Sequence, residues 1–562
     1  MSETEKKKYD QIYFWLAMGS ILLLEIFFFR NILFSDKLLG DLGDGRLNNL
    51  LVEHWFGALS GKETFREIIG FYPVQNTISY TDMNVLFAIP YCVLRFCGIG
   101  MYLANKIVLV GVHVLGSYSL YYLLRKNFMC TRVFSLIGIA LFSCSGAYSM
   151  KVNHTQLIAI SFVPLLLIFI VSFFQYKDNS KKRILFGVLA VSMLSLLMYT
   201  SFYIAYFVIL FAGLFAVSIF FVSLFGGRKP WQAVVSYIKE FWKSLVGLVV
   251  YGVILVTPFF MMYLPTSKMF GARDWGLILY YLPKPLDILN VSKENWLFGG
   301  LMKSLEDKGL MSNFPEIEIG FTFIAAILLL ITGIFLFYKM IKKKETVAIM
   351  DIVIVSAFVA VILSLIFMIK IGDKTLWYII YHYLPGGSAL RAVGRYMFFL
   401  SLPVAIVVAY GGSQIPFLQG KAVYRNGIAI VLLAVVLVSN IRVGGVASSW
   451  TISEEEAEKE KVSAPPKECK VMYILDSSRP NQPAVWNYHL FAWTIADMYH
   501  IKTINGYSGQ FPIGWELQGD INDMVKINHW IQKNHIKNVY AYDVATDVWM
   551  SHEEANVYMQ NR

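Results

Sequence analysis

Two carboxylates, Asp41 and Asp44, lie in a glycine-rich run shortly after the first apolar segment of the chain. The glycines allow a turn in which a carboxylate can approach a substrate closely and take a proton from a hydroxyl group. The same residues are equally typical of an Asx turn that caps the next helix. Asp82, which precedes a short apolar stretch, is likewise well placed as an N-cap. Other polar residues of this region that could contact a substrate are Arg46, Glu53, His54 and Tyr72.

A second polar group separates two later apolar segments and contains Asn153, His154 and Gln156. Polar residues so dense between two apolar helices are costly near lipid, and they indicate that the residues line a cavity. His154 could instead only cap a helix and form local hydrogen bonds. Both interpretations place the imidazole at one end of a helical bundle.

Two arginines, Arg391 and Arg395, stand four residues apart beside a Gly-Gly turn at the start of an apolar helix. This spacing fits the binding of an anionic lipid head group. The alternative is a pair of snorkelling anchors, although interfacial anchors are usually aromatic or lysine residues. Four more polar residues complete the candidate set: Arg273, Asp274 and Glu316 between apolar segments, and Tyr507 in a glycine-rich turn of the C-terminal tail.

Several common catalytic motifs do not occur in the sequence. It has no Walker loop, dinucleotide-binding glycine fingerprint or HExxH motif, so nucleotide hydrolysis and zinc peptidase chemistry have no support. The five cysteines form no CxxC pair, and four of them lie in or beside apolar segments. They are best interpreted as small buried hydrophobic residues.

The composition shows which elements must position these residues. Of the 562 residues, 57% are hydrophobic and 15% are charged, which excludes a typical soluble enzyme. Apolar runs of about 20 residues recur along the chain, and each must be a helix because lipid offers backbone groups no partners. The net charge of +11 comes from short Lys and Arg clusters between the runs, which is a topology signal rather than a nucleic-acid surface.

These runs predict about 11 transmembrane helices. The predicted spans are 12–34, 101–124, 133–150, 155–175, 184–200, 202–225, 244–265, 319–338, 347–369, 396–412 and 427–446. The stretch 83–97 is too short to cross and contains Pro90, so we predict a juxtamembrane or re-entrant helix there. Residues 1–446 would form the transmembrane domain, with a long first loop over 35–82.

The positive-inside rule fixes the expected orientation of these spans. If the N-terminus is cytoplasmic, the inner loops contain the basic clusters at Lys126, Lys182, Lys229, Lys343 and Lys421. All candidate site residues then emerge on the other side of the plasma membrane. The segment 447–562 is predicted to be a small extracytoplasmic α/β domain, preceded by a solvated linker over 452–467. Because no nucleotide is supplied on that side, a transferred sugar or acyl group would arrive on a lipid carrier.

The chain resembles the GT-C superfamily of polytopic membrane glycosyltransferases, most closely the bacterial YfhO-like proteins. The resemblance is carried by DGR at Asp44 with EHWF at Glu53, FYP at Phe71 with YTD at Tyr80, NHTQ at Asn153, PGGSALRAVGRY at Pro385, and NGYSG at Asn505. YfhO-like proteins often have more spans and a larger outer domain, which leaves the acceptor open.

The resemblance implies an inverting transfer of sugar from a polyprenyl-phosphate carrier to a cell-envelope acceptor such as a glycopolymer, teichoic acid, polysaccharide or lipid. It implies that Asp44 or Asp41 is the catalytic acid and that Arg391 and Arg395 face the donor phosphate. A divalent cation, Mg²⁺ or Mn²⁺, is a possible cofactor. Its candidate ligands are Asp44, Asp274 and Glu316.

Two other functions remain open from the sequence. A transporter or flippase of lipid-linked sugars would need ionisable residues near the middle of the bilayer, and Glu25 in the first span is the deepest candidate. A non-catalytic envelope assembly factor would instead use its outer domain to bind a partner protein. Binding of a polyprenyl-phosphate sugar that is lost in Arg391→Ala would favour the enzyme.

Overall fold

The chain forms a polytopic α-helical membrane protein with a small C-terminal α/β domain. The computed structural model describes residues 3–342, 348–415, 422–446, 450–478 and 484–561. Ten helices in these ranges are long and apolar enough to cross a membrane. Some predictions concern residues outside these ranges. They are the basic residues Lys343, Lys344 and Lys421, and the first residue after the predicted domain boundary at 446/447.

The helices and strands are numbered in chain order. The first helices are α1 (Glu3–Phe28), α2 (Arg30–Leu33), α3 (Asp44–Leu59), α4 (Val85–Phe96), α5 (Met101–Tyr122), α6 (Arg132–Phe142), α7 (Gly146–Lys151), α8 (Val163–Gln175), α9 (Ser180–Thr200), α10 (Phe202–Phe225) and α11 (Pro230–Phe270). They are followed by α12 (Trp275–Tyr280), α13 (Gly299–Asp307), α14 (Phe323–Lys342), α15 (Ile349–Met368), α16 (Trp377–Tyr383), α17 (Arg395–Gln414), α18 (Ala422–Ser439), α19 (Ile452–Glu460), α20 (Val485–Tyr499), α21 (Met524–Lys533) and α22 (His552–Gln560). The strands are β1 (Lys370–Ile371), β2 (Lys374–Thr375), β3 (Val471–Leu475), β4 (Lys502–Thr503), β5 (Val539–Asp543) and β6 (Val548–Ser551).

Ten of the predicted spans coincide with the ten candidate membrane helices, but several bounds differ. The first span ends at Phe28 rather than at residue 34. The third is broken into α6 and α7 around Ser145, whose hydroxyl accepts from the backbone N–H of Tyr148 at 3.1 Å. The eleventh predicted span ends at Ser439, and the chain that follows contains two glycines with positive φ, Gly444 and Gly445.

Two further differences concern loops. Helix α11 is continuous over 41 residues, about 60 Å long, so it includes residues 239–243 that were predicted to lie in a loop. The segment 83–97, by contrast, forms a short helix as expected, α4, whose 12 residues are too few to cross. The linker prediction for 452–467 is wrong, since α19 occupies its first half. Glu455 of α19 is buried against Arg46, which compensates its charge.

Helix α17 lies at the centre of the bundle. It packs against α6, α14 and α15, and nearly all of its residues are buried. A helix that is apolar on all sides is stable only when other helices surround it. The chain segment that begins α17 is therefore held rigidly at one end of the bundle.

The C-terminal domain contains a four-stranded sheet with strand order β4-β3-β5-β6. Strand β3 is parallel to β4 and β5, whereas β5 and β6 are antiparallel. The parallel connections run through α20 and α21, as parallel strands require. Helix α20 also packs against α3. We call the end of the bundle that carries this domain the domain end.

Candidate active site

Asp41 and Asp44 have different roles in the first loop. Asp41 Oδ1 accepts from the backbone N–H groups of Gly43 at 3.0 Å and Gly45 at 3.2 Å, so Asp41 forms the predicted turn before α3. A Cβ on Gly40 would lie 2.6 Å from the Cα of Gly45, which is why this turn needs glycine. The turn places Asp44 at the first position of α3, with its side chain directed toward His154.

His154 lies between two carboxylates. Its Nδ1 is 2.5 Å from Asp44 Oδ2, and its Nε2 is 3.1 Å from Glu316 Oε1. The imidazole therefore connects the loop before α3 to the loop before α14. Since one ring nitrogen faces each carboxylate, the imidazole can hold Asp44 in place while Glu316 fixes the orientation of the ring.

Glu316 contacts two buried cationic side chains of this site. It accepts from Arg395 through both oxygens, at 2.7 and 3.0 Å, and from Lys151 Nζ at 2.8 Å. Burial opposes its ionisation, but Arg395 and Lys151 hold the pKa of Glu316 far below its usual range. Burial likewise opposes ionisation of Asp44, yet the hydrogen bond and charge of His154 lower the Asp44 pKa. Both acids are carboxylates at neutral pH.

Asp82 supplies a third carboxyl group with a different character. Its Oδ1 accepts from the backbone N–H of Phe202 at 2.8 Å, so it caps α10 rather than the helix that follows it in sequence. Burial raises the pKa of Asp82 to about 6, and Arg395 and Asp44 are the nearby charges. The site thus contains one carboxyl group that titrates close to neutrality.

Arg391 and Arg273 form the cationic side of the site. The backbone N–H of Arg391 donates to Tyr203 Oη at 3.0 Å, and its exposed guanidinium lies 5.5 Å from the centre of the Tyr281 ring. Arg273 Nη2 donates to Gly509 O at 2.9 Å. Burial lowers the pKa of Arg273, and the Arg391 cation contributes to this shift. Among the described side chains, neither arginine forms an ion pair with an acid.

Tyr507 from the C-terminal domain lies between the two sides of the site. Burial, together with the negative charges of Asp44 and Asp41, raises the pKa of Tyr507 to about 12, and Arg391 opposes the shift. The neighbouring Ser508 hydroxyl donates to Tyr80 O at 2.9 Å, which anchors this loop to the transmembrane domain. The loop therefore covers the site from the domain end.

The two arginines predicted to grip a phosphate are not equivalent. Arg395 is buried and fully engaged with Glu316, whereas Arg391 is exposed and without an acidic partner in the part of the chain that the structure describes. Arg391 and Arg273 are close enough to interact electrostatically, whereas the guanidinium of Arg395 is held by Glu316. The reason is Glu316, whose charge compensation of Arg395 cannot be read from the arginine spacing.

Three first-loop candidates lie away from this cluster. Arg46 is buried against Glu455 and donates to Asn487 Oδ1 at 2.7 Å. Glu53 accepts from Arg95 at 2.8 and 2.9 Å. His54 Nδ1 lies 2.6 Å from Glu63 Oε2. These contacts join α3 to its neighbours.

The remaining candidates have structural or peripheral positions. The backbone N–H and O of Tyr72 bond to Thr503 O and Trp530 Nε1, which docks this loop onto the C-terminal domain. Gln156 accepts from Asn48 Nδ2 at 2.9 Å, and Asn153 is exposed. Asp274 caps α12 through Leu277 N at 2.9 Å.

The predicted ligands of a divalent cation do not fit one in this arrangement. Asp274 is engaged as a helix cap, and the oxygens of Glu316 are already bonded to Arg395 and Lys151. A metal ion next to two buried cations would be repelled by them. Over the described ranges, no group of three acidic, histidine or cysteine side chains is arranged to hold a metal ion.

Sequence reasoning missed three residues of the site. Lys151 is buried against Glu316, and Tyr203 and Tyr281 contact the arginines of the loop before α17. One signal was present: Lys151 stands at the predicted outer end of a span, where the positive-inside rule disfavours lysine unless it has a partner. The two tyrosines carry no such signal.

Comparison with known proteins gives only remote similarity. No protein-family model matches the chain, and no curated protein matches it. The chain is similar to the crystal structure of the Archaeoglobus fulgidus oligosaccharyltransferase in the apo form, with 12% identity and a TM-score of 0.48 over 93% of this chain and 69% of that one. It is also similar to ArnT from Cupriavidus metallidurans in the apo state, with 12% identity and a TM-score of 0.38 over 88% of this chain and 90% of that one. Similarity at this level carries no conclusion about function.

Proposed function

We propose that this protein is an inverting membrane glycosyltransferase, which transfers a sugar from a polyprenyl-phosphate carrier to a cell-envelope acceptor. The supporting observation is the chain of contacts from Asp44 through His154 to Glu316 and Arg395, beside Arg391, which has no acidic partner among the described residues. It combines a carboxylate that can accept a proton with a cationic surface that can hold a phosphate. The domain end would face outward, with the N-terminus in the cytoplasm, as the basic loops predict.

The carboxylate of Asp44 is the general base of the proposed reaction. It takes the proton from an acceptor hydroxyl while that oxygen attacks the anomeric carbon. The bond from this carbon to the carrier phosphate breaks, and the configuration inverts. His154 orients Asp44 and shares the proton. Positioned general bases typically contribute about 10²- to 10⁴-fold to the rate.

Arg391 and Arg273 act on the other side of the reacting carbon. The departing polyprenyl phosphate gains negative charge as the bond breaks. Two guanidinium groups that pair with no acid in the described part of the chain stabilise that charge. Arg395 acts indirectly, because it holds Glu316 as a carboxylate beside His154. The protein's own cations thus supply the charge stabilisation.

The test is transfer or release of labelled sugar from synthetic polyprenyl phosphates that carry glucose, galactose or N-acetylglucosamine, with purified protein in nanodiscs. Asp44→Asn should lower the rate at least 100-fold. Asp41→Asn should lower it far less, since an asparagine oxygen can accept the same turn hydrogen bonds. Wild-type rates in both variants would rule out the assignment.

A transporter of lipid-linked sugars is the second candidate, and one observation favours it. Glu25 in α1 is buried and lies 2.6 Å from Nδ1 of His113 in α5. Ionisable pairs inside membrane helices often belong to transport pathways. Translocation of a fluorescent polyprenyl-phosphate sugar across proteoliposomes, lost in Glu25→Gln and retained in Asp44→Asn, would favour this function over the enzyme.

A further inference from the structure

A small cavity lies at the domain end, apart from the candidate active site. It is lined by the last turn of α1, the break between α6 and α7, and the chain that follows α18. The cavity measures about 40 Å³, which is room for roughly three water-sized groups. A tetrahedral phosphate is of this size. Its lining includes Phe27, Phe28, Arg30, Asn440, Arg442 and Val446.

The cationic part of the lining consists of two arginines from distant parts of the chain, Arg30 and Arg442. Arg30 Nη1 donates only to Phe27 O in its own turn, at 2.8 Å, and forms no ion pair with any acid in the described ranges. Arg442 pairs with Glu294, but its Nε is buried without a hydrogen-bond acceptor. A buried N–H without an acceptor is costly, so the site favours an anion with several oxygens.

Hydrogen bonds hold the chain after α18, which carries Arg442, against the segment that carries Arg30. Asn31 Nδ2 donates to Gly444 O at 2.6 Å, and Gly445 N donates to Arg442 O at 3.0 Å. A Cβ on Gly445, whose φ is +64°, would approach Arg30 Nη2 to 3.2 Å. The glycine therefore leaves space beside the Arg30 guanidinium for a ligand atom.

The surroundings point to a lipid rather than to a soluble anion. Leu16, Leu23 and Phe27 have exposed fractions of 59%, 68% and 50% and recur on one face of α1 that leads away from the cavity. This apolar stripe lies in a candidate membrane span, where acyl chains would cover it. We propose that the cavity binds the phosphate group of an anionic membrane phospholipid whose acyl chains follow this face of α1.

The test measures lipid retention by the full-length protein. Purified protein is exchanged into mixed micelles with phosphatidylglycerol or phosphatidylcholine, and bound lipid is counted by native mass spectrometry. We expect phosphatidylglycerol to be retained at least tenfold better than phosphatidylcholine. Arg30→Gln should abolish this preference, and Arg30→Lys should retain part of it. Lys268→Gln, which removes a cation from an exposed position at the end of α11, is the matched control and should have no effect.

A second variant shows whether loss of binding could come from misfolding of the first. Competing ligands show which kind of molecule supplies the phosphate. Gly445→Asn tolerates the left-handed conformation but fills the space beside Arg30, so it should also abolish the preference. Equal retention of phosphatidylglycerol by wild-type and both variants would overturn the proposal. Displacement by millimolar inorganic phosphate would instead assign a soluble anion. Displacement by equimolar decaprenyl phosphate would assign the cavity to the carrier, and both results would overturn the proposal.

Discussion

Asp44 and His154 are separated by 110 residues in sequence, yet Asp44 Oδ2 and His154 Nδ1 are 2.5 Å apart. The contact joins the start of α3 to the turn after α7. It brings together two groups that the sequence offers as separate candidates, and it gives each a defined partner.

His154→Gln should therefore lower the rate of sugar transfer by about 10²-fold while the protein still binds the donor. Glutamine keeps one hydrogen bond to Asp44 but cannot bridge to Glu316 or share a proton. The measurement is kcat and KM for labelled transfer. A glutamine variant with wild-type kcat would show that the imidazole has only a structural role.

Arg391 and Arg395 should respond differently to substitution. Arg391→Gln should raise KM for the lipid-linked donor about tenfold or more with little change in thermal stability, since its side chain is exposed. Arg395→Gln should lower stability by roughly 3–5 kcal/mol, because it removes one partner of the buried Glu316 pair.

The two effects are separated by measuring donor KM and thermal unfolding for both variants in the same nanodiscs. Lys268→Gln, at an exposed position, serves as the control for loss of one positive charge. If Arg391→Gln unfolded at a clearly lower temperature, or Arg395→Gln had wild-type stability, the assigned roles would have to be exchanged.

Asp82 should make stability depend on pH in the acid range. Its pKa is raised from 3.8 to about 6 in the folded protein, so between these values the folded state binds more protons than the unfolded state. The free energy of unfolding should therefore fall by roughly 3 kcal/mol or less as the pH rises from about 4 to about 6. It should level off above that range.

To isolate this contribution, the stability of the wild-type protein is compared with that of Asp82→Asn by thermal unfolding from pH 4 to pH 8. An asparagine side-chain oxygen can still accept from Phe202 N, so the cap of α10 is kept. The difference in stability should grow in favour of the variant as the pH rises through about 6. A constant difference over this range would contradict the prediction.

The buried pair of Arg46 and Glu455 should hold the first loop to the C-terminal domain. Glu455 also accepts from Trp450 Nε1 at 2.6 Å and Tyr102 Oη at 2.7 Å, so it is fully engaged. Arg46→Ala should cost about 3–5 kcal/mol, because it leaves a buried carboxylate without its countercharge.

The double variant Arg46→Met and Glu455→Leu should be more stable than either single variant, since no unpaired charge remains. Arg66→Ala, at an exposed position, is the control and should change stability by about 0.5 kcal/mol or less. Single variants that unfold at the wild-type temperature would mean that the domain is held by other contacts.

Much of the fold could be predicted because membrane helices are local in origin. A run of about 20 apolar residues must be helical in lipid, whatever the rest of the chain does. Helix ends and loops were less predictable. The break at Ser145 depends on a side-chain cap, and the burial of Glu455 in α19 depends on its contact with Arg46, about 400 residues away.

Composition and motifs were enough to identify a polytopic membrane protein and to name Asp44, His154 and Arg391 among its candidate site residues. Which of these residues meet could not be read from them. Hydrogen bonds and ion pairs between loops depend on how the helices pack, and that packing made Glu316 the partner of both His154 and Arg395. It also assigned Arg46 and Glu53 to structural contacts and left Arg391 available to an anion.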